Sequence, residues 1–284
     1  MTYCLGIVTK SGLVMASDSR TNAGYDQVNT CRKMYTFVKE GERVFVLLAS
    51  GSLSCTQSVI TLLKRDFDRG EGLAKALSMY DAARIIGNEI RHVAELDRPA
   101  LERDDYKFNV HFLVGGQVVG EPPSLFLIYP QGNPLQATEE SPYLQIGETK
   151  YGRPILDRGI RFEKTTLEEA AKYALLSLDS TMKSNVTVGP PIDLLAYETD
   201  HLAITHQRRF MADDADLVKI AMRWQQALRV AVARLPNIRF SITKAAEKTQ
   251  ESIQLVEAPA PEPAPELQPQ LDTRSRSAGA SMES

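Results

Sequence analysis

Met1–Arg20 reads MTYCLGIVTKSGLVMASDSR, and the alternation in this stretch decides the fold. Tyr3 to Ser17 holds two β-type runs separated by Lys10-Ser11-Gly12. A polar turn this short, carrying a glycine, joins neighbouring strands as an antiparallel hairpin. Ahead of the hairpin stands Thr2, behind Met1. Methionine is readily trimmed before a small residue, so Thr2 is expected to become a free N-terminus. A threonine hydroxyl is a weak nucleophile at neutral pH, but an α-amino group on the same residue, with an ordinary pKa of about 7.7 to 8.0, can take its proton. One residue then supplies both nucleophile and base.

Outward from the hairpin, Val44 to Ser50 (VFVLLAS) is a compact apolar strand, followed by Gly51-Ser52 and a helix beginning near Ser54. Apolar positions recur at helical spacing over Gln57 to Phe67 and again over Tyr80 to Leu96. A second pair of β-rich runs covers Asn109 to Val114 and Ser124 to Tyr129, with Gly115-Gly116 and Pro122-Pro123 as turn signals. Thr165-Thr166 followed by Glu168 and Glu169 marks the start of a helix over Leu167 to Met182, because acidic groups suit the positive end of the helix dipole. Strands near Ile192 to Tyr197 and Leu202 to Thr205 precede a long amphipathic helix from about Asp214 to Arg234. Strand runs alternating with helix pairs predict an α+β fold: two antiparallel sheets packed face to face, with helices on both outer sides. Residues 1–240 are read as this one domain. Beyond about Ile242 the segment VEAPAPEPAPELQPQ and its Ser/Arg-rich continuation lack the apolar content to build a core, so a disordered tail is expected over 241–284.

With 284 residues and 43% hydrophobic content, the chain can bury a substantial core. A formal net charge of −3 argues against the dense basic face that nucleic acid requires. No apolar run reaches the roughly 18 to 20 residues that span a bilayer, and the N-terminus alternates instead of forming a basic segment and an apolar block. A cytoplasmic protein without a membrane partner is expected. Cys4, Cys31 and Cys55 are odd in number and show no CxxC spacing, which fits reduced, buried thiols rather than a disulfide framework or zinc site. His92, His111, His201 and His206 form neither an HxxxH pair nor a His/Cys cluster, and no GxxxxGK[ST] loop is present. Neither metal nor organic cofactor is expected.

Several spaced elements now occur in one order: Thr2; Ala16-Ser17-Asp18-Ser19-Arg20; Arg32-Lys33-Met34; Ala49-Ser50-Gly51-Ser52; and Tyr151-Gly152 ahead of a helix. On these residues the chain resembles the proteasome β-subunit branch of the N-terminal-nucleophile hydrolases over approximately Thr2 to Phe240. The SDSRTNAG and SNVTVGPPIDLL segments look most like the bacterial ancestral β-subunit group, Anbu. The resemblance implies a four-layer αββα sandwich and a homo-oligomer built as a ring or an open helical assembly. It implies a peptidase acting on peptides or unfolded polypeptides, with Thr2 attacking, Lys33 lowering the cost of alkoxide character, Asp18 holding Lys33, and the Gly51 N–H stabilising the oxyanion.

Ser19 is a further candidate near this set. The loop between Asp18 and Lys33 is one residue shorter than in ordinary β-subunits. Where that family has an Asp assisting the N-terminal amine, the best match is Asn185, which cannot hold a negative charge. The usual Ser-Gly element is replaced around Gly147-Glu148-Thr149, leaving Glu148 as a supporting acid. Maturation is expected to need Met1 removal rather than self-cleavage of a leader. An ATP-dependent unfoldase is compatible as a partner, though no docking motif identifies one. Two other readings stay open: an amidase for small or peptide-derived substrates using the same Thr2 chemistry, and a noncatalytic assembly subunit.

Overall fold

The predicted hairpin forms between β1 (Tyr3–Thr9) and β2 (Gly12–Asp18), in antiparallel register from Cys4 opposite Ser17 to Thr9 opposite Gly12. The computed structural model describes residues 2–22 and 28–240 of the chain. Every residue of both strands is buried, because the sheet is covered on its two faces. Successive side chains of a strand point to opposite faces. Accordingly, Tyr3, Leu5 and Ile7 enter one core and Cys4 and Val8 another.

The chain continues through a short ribbon, β3 (Arg20–Asn22) and β4 (Val28–Thr30), then β5 (Met34–Lys39) and β6 (Arg43–Gly51). Helix α1 (Leu53–Asp68) follows directly, and after a 3-10 turn at Gly72–Lys75 comes α2 (Met79–Arg103), whose N-cap Ser78 accepts from Asp81 N–H at 2.9 Å. Next are β7 (Val110–Val118), β8 (Ser124–Ile128), β9 (Pro134–Gln136) and β10 (Tyr143–Gly147), then α3 (Arg153–Gly159) and α4 (Leu167–Ser184). The expected start of α4 is present as a capping box, with Thr166 and Glu169 satisfying each other's backbone N–H groups. β11 (Ile192–Glu198), β12 (His206–Phe210) and α5 (Ala215–Ala233) complete this unit.

One sheet runs β10-β1-β2-β11-β12 and the other β5-β6-β7-β8-β9, with antiparallel pairing throughout both. Between them lies a core that includes Cys4, Leu13 and Met15 from the first sheet and Val44, Leu48, Leu113 and Leu125 from the second. The outer face of the second sheet packs on α1 and α2 through residues such as Phe45, Phe112, Val59 and Ile86. The outer face of the first packs on α3, α4 and α5 through Leu5, Val14, Leu156, Leu178 and Leu217. The architecture is therefore the expected αββα sandwich. Among the described residues no helix is long and apolar enough to cross a membrane.

Three local expectations need correction. Gly115-Gly116 is not a turn but lies inside β7, where side chains would collide: a Cβ on Gly116 would sit 1.9 Å from the Val44 carbonyl oxygen and one on Gly115 2.9 Å from Met15 Sδ. The strand expected at Leu202–Thr205 forms instead at His206–Phe210, on the polar edge of its sheet. β5 and β10 carry no clean alternation and were not anticipated; their burial patterns are irregular. The described residues beyond α5, 234–240, hold no helix or strand, and the tail expected to be disordered, 241–284, lies outside the described residues.

Candidate active site

Thr2 sits at the end of the first sheet, immediately before β1, and its carbonyl accepts the Glu148 N–H at 2.8 Å. This bond extends the β1–β10 ladder one step beyond the Tyr3–Gly147 pair. Asp18, the last residue of β2, is fully buried. Its Oδ1 accepts Lys33 Nζ at 2.7 Å and Tyr3 N–H at 3.0 Å, and its Oδ2 accepts Gly189 N–H at 3.4 Å. Burial pushes the Asp18 carboxyl above its ordinary pKa, while the Lys33 ammonium and the two N–H groups pull it back. Three donors on one carboxylate are the arrangement that keeps a buried charge tolerable.

Lys33 has a side chain only 7% exposed. It donates a second hydrogen bond to the Arg20 carbonyl at 2.6 Å. An ammonium carries three donors, so among the described residues one N–H remains beyond those given to Asp18 and Arg20. The backbone carbonyl of Lys33 accepts Ala49 N–H at 3.0 Å, which ties the lysine to β6. By the two-residue period of a strand, the Gly51 N–H leaves β6 on the same side as that of Ala49, past the point where β5 begins at Met34. Thr2, Lys33 and Gly51 line one small cavity of about 30 Å³ together with Cys31, Tyr35 and Ala49. Cys4 and Cys55 are buried as expected of small apolar residues, but Cys31 is partly exposed and lies on this cavity wall.

A larger groove of about 530 Å³ opens from the same point between the two sheets. Thr2, Thr21, Ser50 and Gly51 border both spaces, and the groove continues along Asn109, His111, Tyr129 and Gln145. His111 packs edge-on to Tyr129, and burial lowers its pKa, favouring the neutral imidazole.

Gly51 adopts φ +112°, and a Cβ there would lie 2.1 Å from the Asn109 carbonyl oxygen. Gly51→Ala is therefore expected to destabilise the fold by about 1 to 3 kcal/mol and to displace the neighbouring N–H. Thermal unfolding beside a modification assay at Thr2 would check this; wild-type values for both would contradict it.

The remaining expected residues are placed less directly. Glu148, 8% exposed, accepts Asn185 Nδ2 at 2.9 Å and approaches Lys150 Nζ at 3.5 Å. Asn185 is the C-cap of α4, and its Oδ1 accepts the Thr187 N–H and hydroxyl at 3.0 and 2.6 Å. Ser19 is not turned toward Thr2 in any hydrogen bond; its hydroxyl donates to Asp193 at 3.2 Å, and Asp193 is in turn held by both oxygens to Arg209. Contributions not legible in the sequence come from backbone groups: the N–H of Tyr3 and Gly189 and the carbonyl of Arg20. A backbone donor leaves no residue-type signal. Among the described residues no group of three or more His, Cys, Asp or Glu is placed to hold a metal ion.

Residues 2–195 match the family described as Proteasome subunit. Proteasome subunit beta 1 of Pyrobaculum calidifontis is 26% identical over 202 residues, covering 69% of this chain and 89% of that protein. The solved structure of Anbu (ancestral beta-subunit) from Yersinia bercovieri is 41% identical, with a TM-score of 0.79 over 84% of this chain and 100% of that one. An Anbu complex from Pseudomonas aeruginosa, described as a helical assembly, is 44% identical, with a TM-score of 0.79 over 84% of this chain and 98% of that one. Sandwich, Thr2 at the head of β1 and buried Lys–Asp pair thus come with sequence identity across most of the chain: it belongs to the proteasome subunit family, in the Anbu, or ancestral beta-subunit, group.

Proposed function

We propose that the chain is a threonine-type peptidase that hydrolyses peptide bonds in peptides or unfolded polypeptides, with Thr2 as its nucleophile, inside a homo-oligomeric assembly. The observation that carries this reading is the buried Lys33–Asp18 pair opening onto the same cavity as Thr2 and Gly51. Replacing a buried ion pair with apolar residues of similar volume is often neutral or stabilising, so stability alone is weak grounds for keeping this pair.

Removal of Met1 frees the α-amine. Thr2 Oγ then attacks the scissile carbonyl while that amine, directly or through one water, takes the hydroxyl proton. The Lys33 charge stabilises the developing alkoxide, and Asp18 holds it in place. The Gly51 N–H donates to the tetrahedral oxyanion. Collapse breaks the C–N bond, the proton held by the amine passes to the leaving group, and an ester on Thr2 remains. Water, deprotonated by the same amine, attacks the ester and regenerates the hydroxyl. The groove along Asn109, His111 and Tyr129 offers an extended segment a path between the sheets. Exposed apolar side chains on α5, among them Met222, Leu228 and Val232, support self-association, as does the helical assembly described for the Pseudomonas relative.

The test is mass spectrometry of the purified protein before and after treatment with a peptide-capped β-lactone, which acylates an activated hydroxyl. Loss of Met1 and a single adduct confined to Thr2 are expected, with native mass spectrometry of the same sample giving a multiple of the subunit mass. Retained Met1 with no adduct would favour a noncatalytic subunit. A Thr2 adduct with turnover of small amides but not peptides would favour the amidase. A monomer would remove the assembly.

A further inference from the structure

Resting on Thr2 as nucleophile and base, we infer that Glu148 supplies the counter-charge for the processed Thr2 α-amine, a task for which Asn185 is the neutral anchor. Two buried carboxylates border the Thr2 backbone. Asp18 already takes three donors, Lys33, Tyr3 N–H and Gly189 N–H, and its charge is balanced by the Lys33 ammonium. Glu148 lies directly across the ladder from Thr2, fixed there by its N–H on the Thr2 carbonyl, and its side chain is almost wholly buried. Its Oε2 takes one hydrogen bond from Asn185, and among the described residues Oε1 has the longer contact to the largely exposed Lys150. A carboxylate has about four acceptor positions. Glu148 therefore keeps capacity for a nearby ammonium.

The polarity of the pair is set by its surroundings. Asn185 Oδ1 is occupied by Thr187 N–H and hydroxyl, so its amide nitrogen must face Glu148. A donor is what a buried carboxylate needs from its neighbour, and an Asp at 185 would oppose it with like charge. Asn185 thus fits Glu148 as its charged partner rather than marking a lost function.

Several charges act on the Thr2 amine. Lys33 and Arg32 on the wall of the small cavity disfavour the ammonium form, while Asp18 is neutralised by its ion pair. His111 in the adjoining groove is held neutral, and Lys150 partly offsets Glu148. Without Glu148 the balance would leave the amine too weak a base; with it, proton affinity returns toward the working pH.

The experiment uses the assembled, Met1-processed protein. Competitive acetylation with acetic anhydride across pH, read by mass spectrometry on the N-terminal peptide, gives the amine midpoint without relying on activity. Glu148→Gln is expected to lower that midpoint by about one pH unit, and the acid limb of the β-lactone reaction should move with it. Glu148→Gln with Asn185→Asp keeps the amide–carboxylate hydrogen bond, places the charge on the other side, and is expected to return the midpoint most of the way. Glu148→Ser is a second neutral variant should Gln impair folding, with the same expected direction. Unmoved midpoints in the neutral variants, alongside a wild-type Thr2 adduct, overturn the role of Glu148 alone. Absence of the adduct in wild type overturns the Thr2 reading, and this inference with it.

Discussion

Thr2→Ala is expected to fold and assemble as wild type yet lose at least about a thousandfold in the rate of hydrolysis or β-lactone acylation, the scale seen when a nucleophile is deleted. Thr2 is only partly buried, and among the described residues its side chain makes no hydrogen bond, so truncation should cost little stability. The amine, Lys33, Asp18 and Gly51 all remain; what disappears is the atom that forms the bond. Thr2→Ser restores the hydroxyl and should recover most of the rate. A residual loss of up to about tenfold is expected because Ser lacks the branched carbon that restricts χ1. Hydrolysis that persists in pure Thr2→Ala would end the mechanism.

Lys33→Met should lose both reactivity and stability. It leaves the Asp18 carboxylate fully buried with two N–H donors and no counter-charge. Breaking one side of a buried pair costs roughly 3 to 5 kcal/mol, which for a domain of this size lowers Tm by roughly 6 to 20 °C. Burial already raises the Asp18 pKa, and loss of the ammonium raises it further. A carboxyl whose folded pKa lies above its unfolded one contributes most to stability below the unfolded value, and that contribution is lost as pH rises through the folded pKa. The Tm deficit of Lys33→Met should therefore shrink on acidification from neutral pH. Adding Asp18→Asn, which keeps a carbonyl oxygen for the Tyr3 N–H, should recover much of the stability at neutral pH while acylation of Thr2 stays depressed by about a hundredfold or more. Calorimetry and acylation rates on the single and double variants separate the two effects. A double variant that regains reactivity along with stability would reduce the pair to a structural role.

Much of the sandwich was legible because its buried strands and helices announce themselves locally. The hairpin was readable from alternation around Lys10-Ser11-Gly12, and α4 from its capping residues. β5, β10 and β12 were not, since edge positions leave one flank open and mix polar with apolar residues, as in His206–Phe210, HQRRF. Gly115-Gly116 misled for a related reason. Glycine signals either a turn or a close approach, and which applies depends on what packs opposite, here Val44 and Met15. At the site, Asp18 and Lys33 could be named as residue types, but the burial of Lys33 depends on its partners, the Asp18 carboxylate and the Arg20 carbonyl. Ser19 showed the opposite failure: close in sequence to Asp18, it is committed to Asp193 on another strand.

By itself the sequence determined the order of the well-buried strands and the long helices, and which side chains have the chemistry to attack, hold charge or donate, because these depend on short-range periodicity and on functional groups. Only the tertiary structure decided which of those groups meet. Asp18 and Lys33 are 15 residues apart and Glu148 and Asn185 37 apart, and such pairs are selected by sheet register and helix packing, which no local stretch encodes.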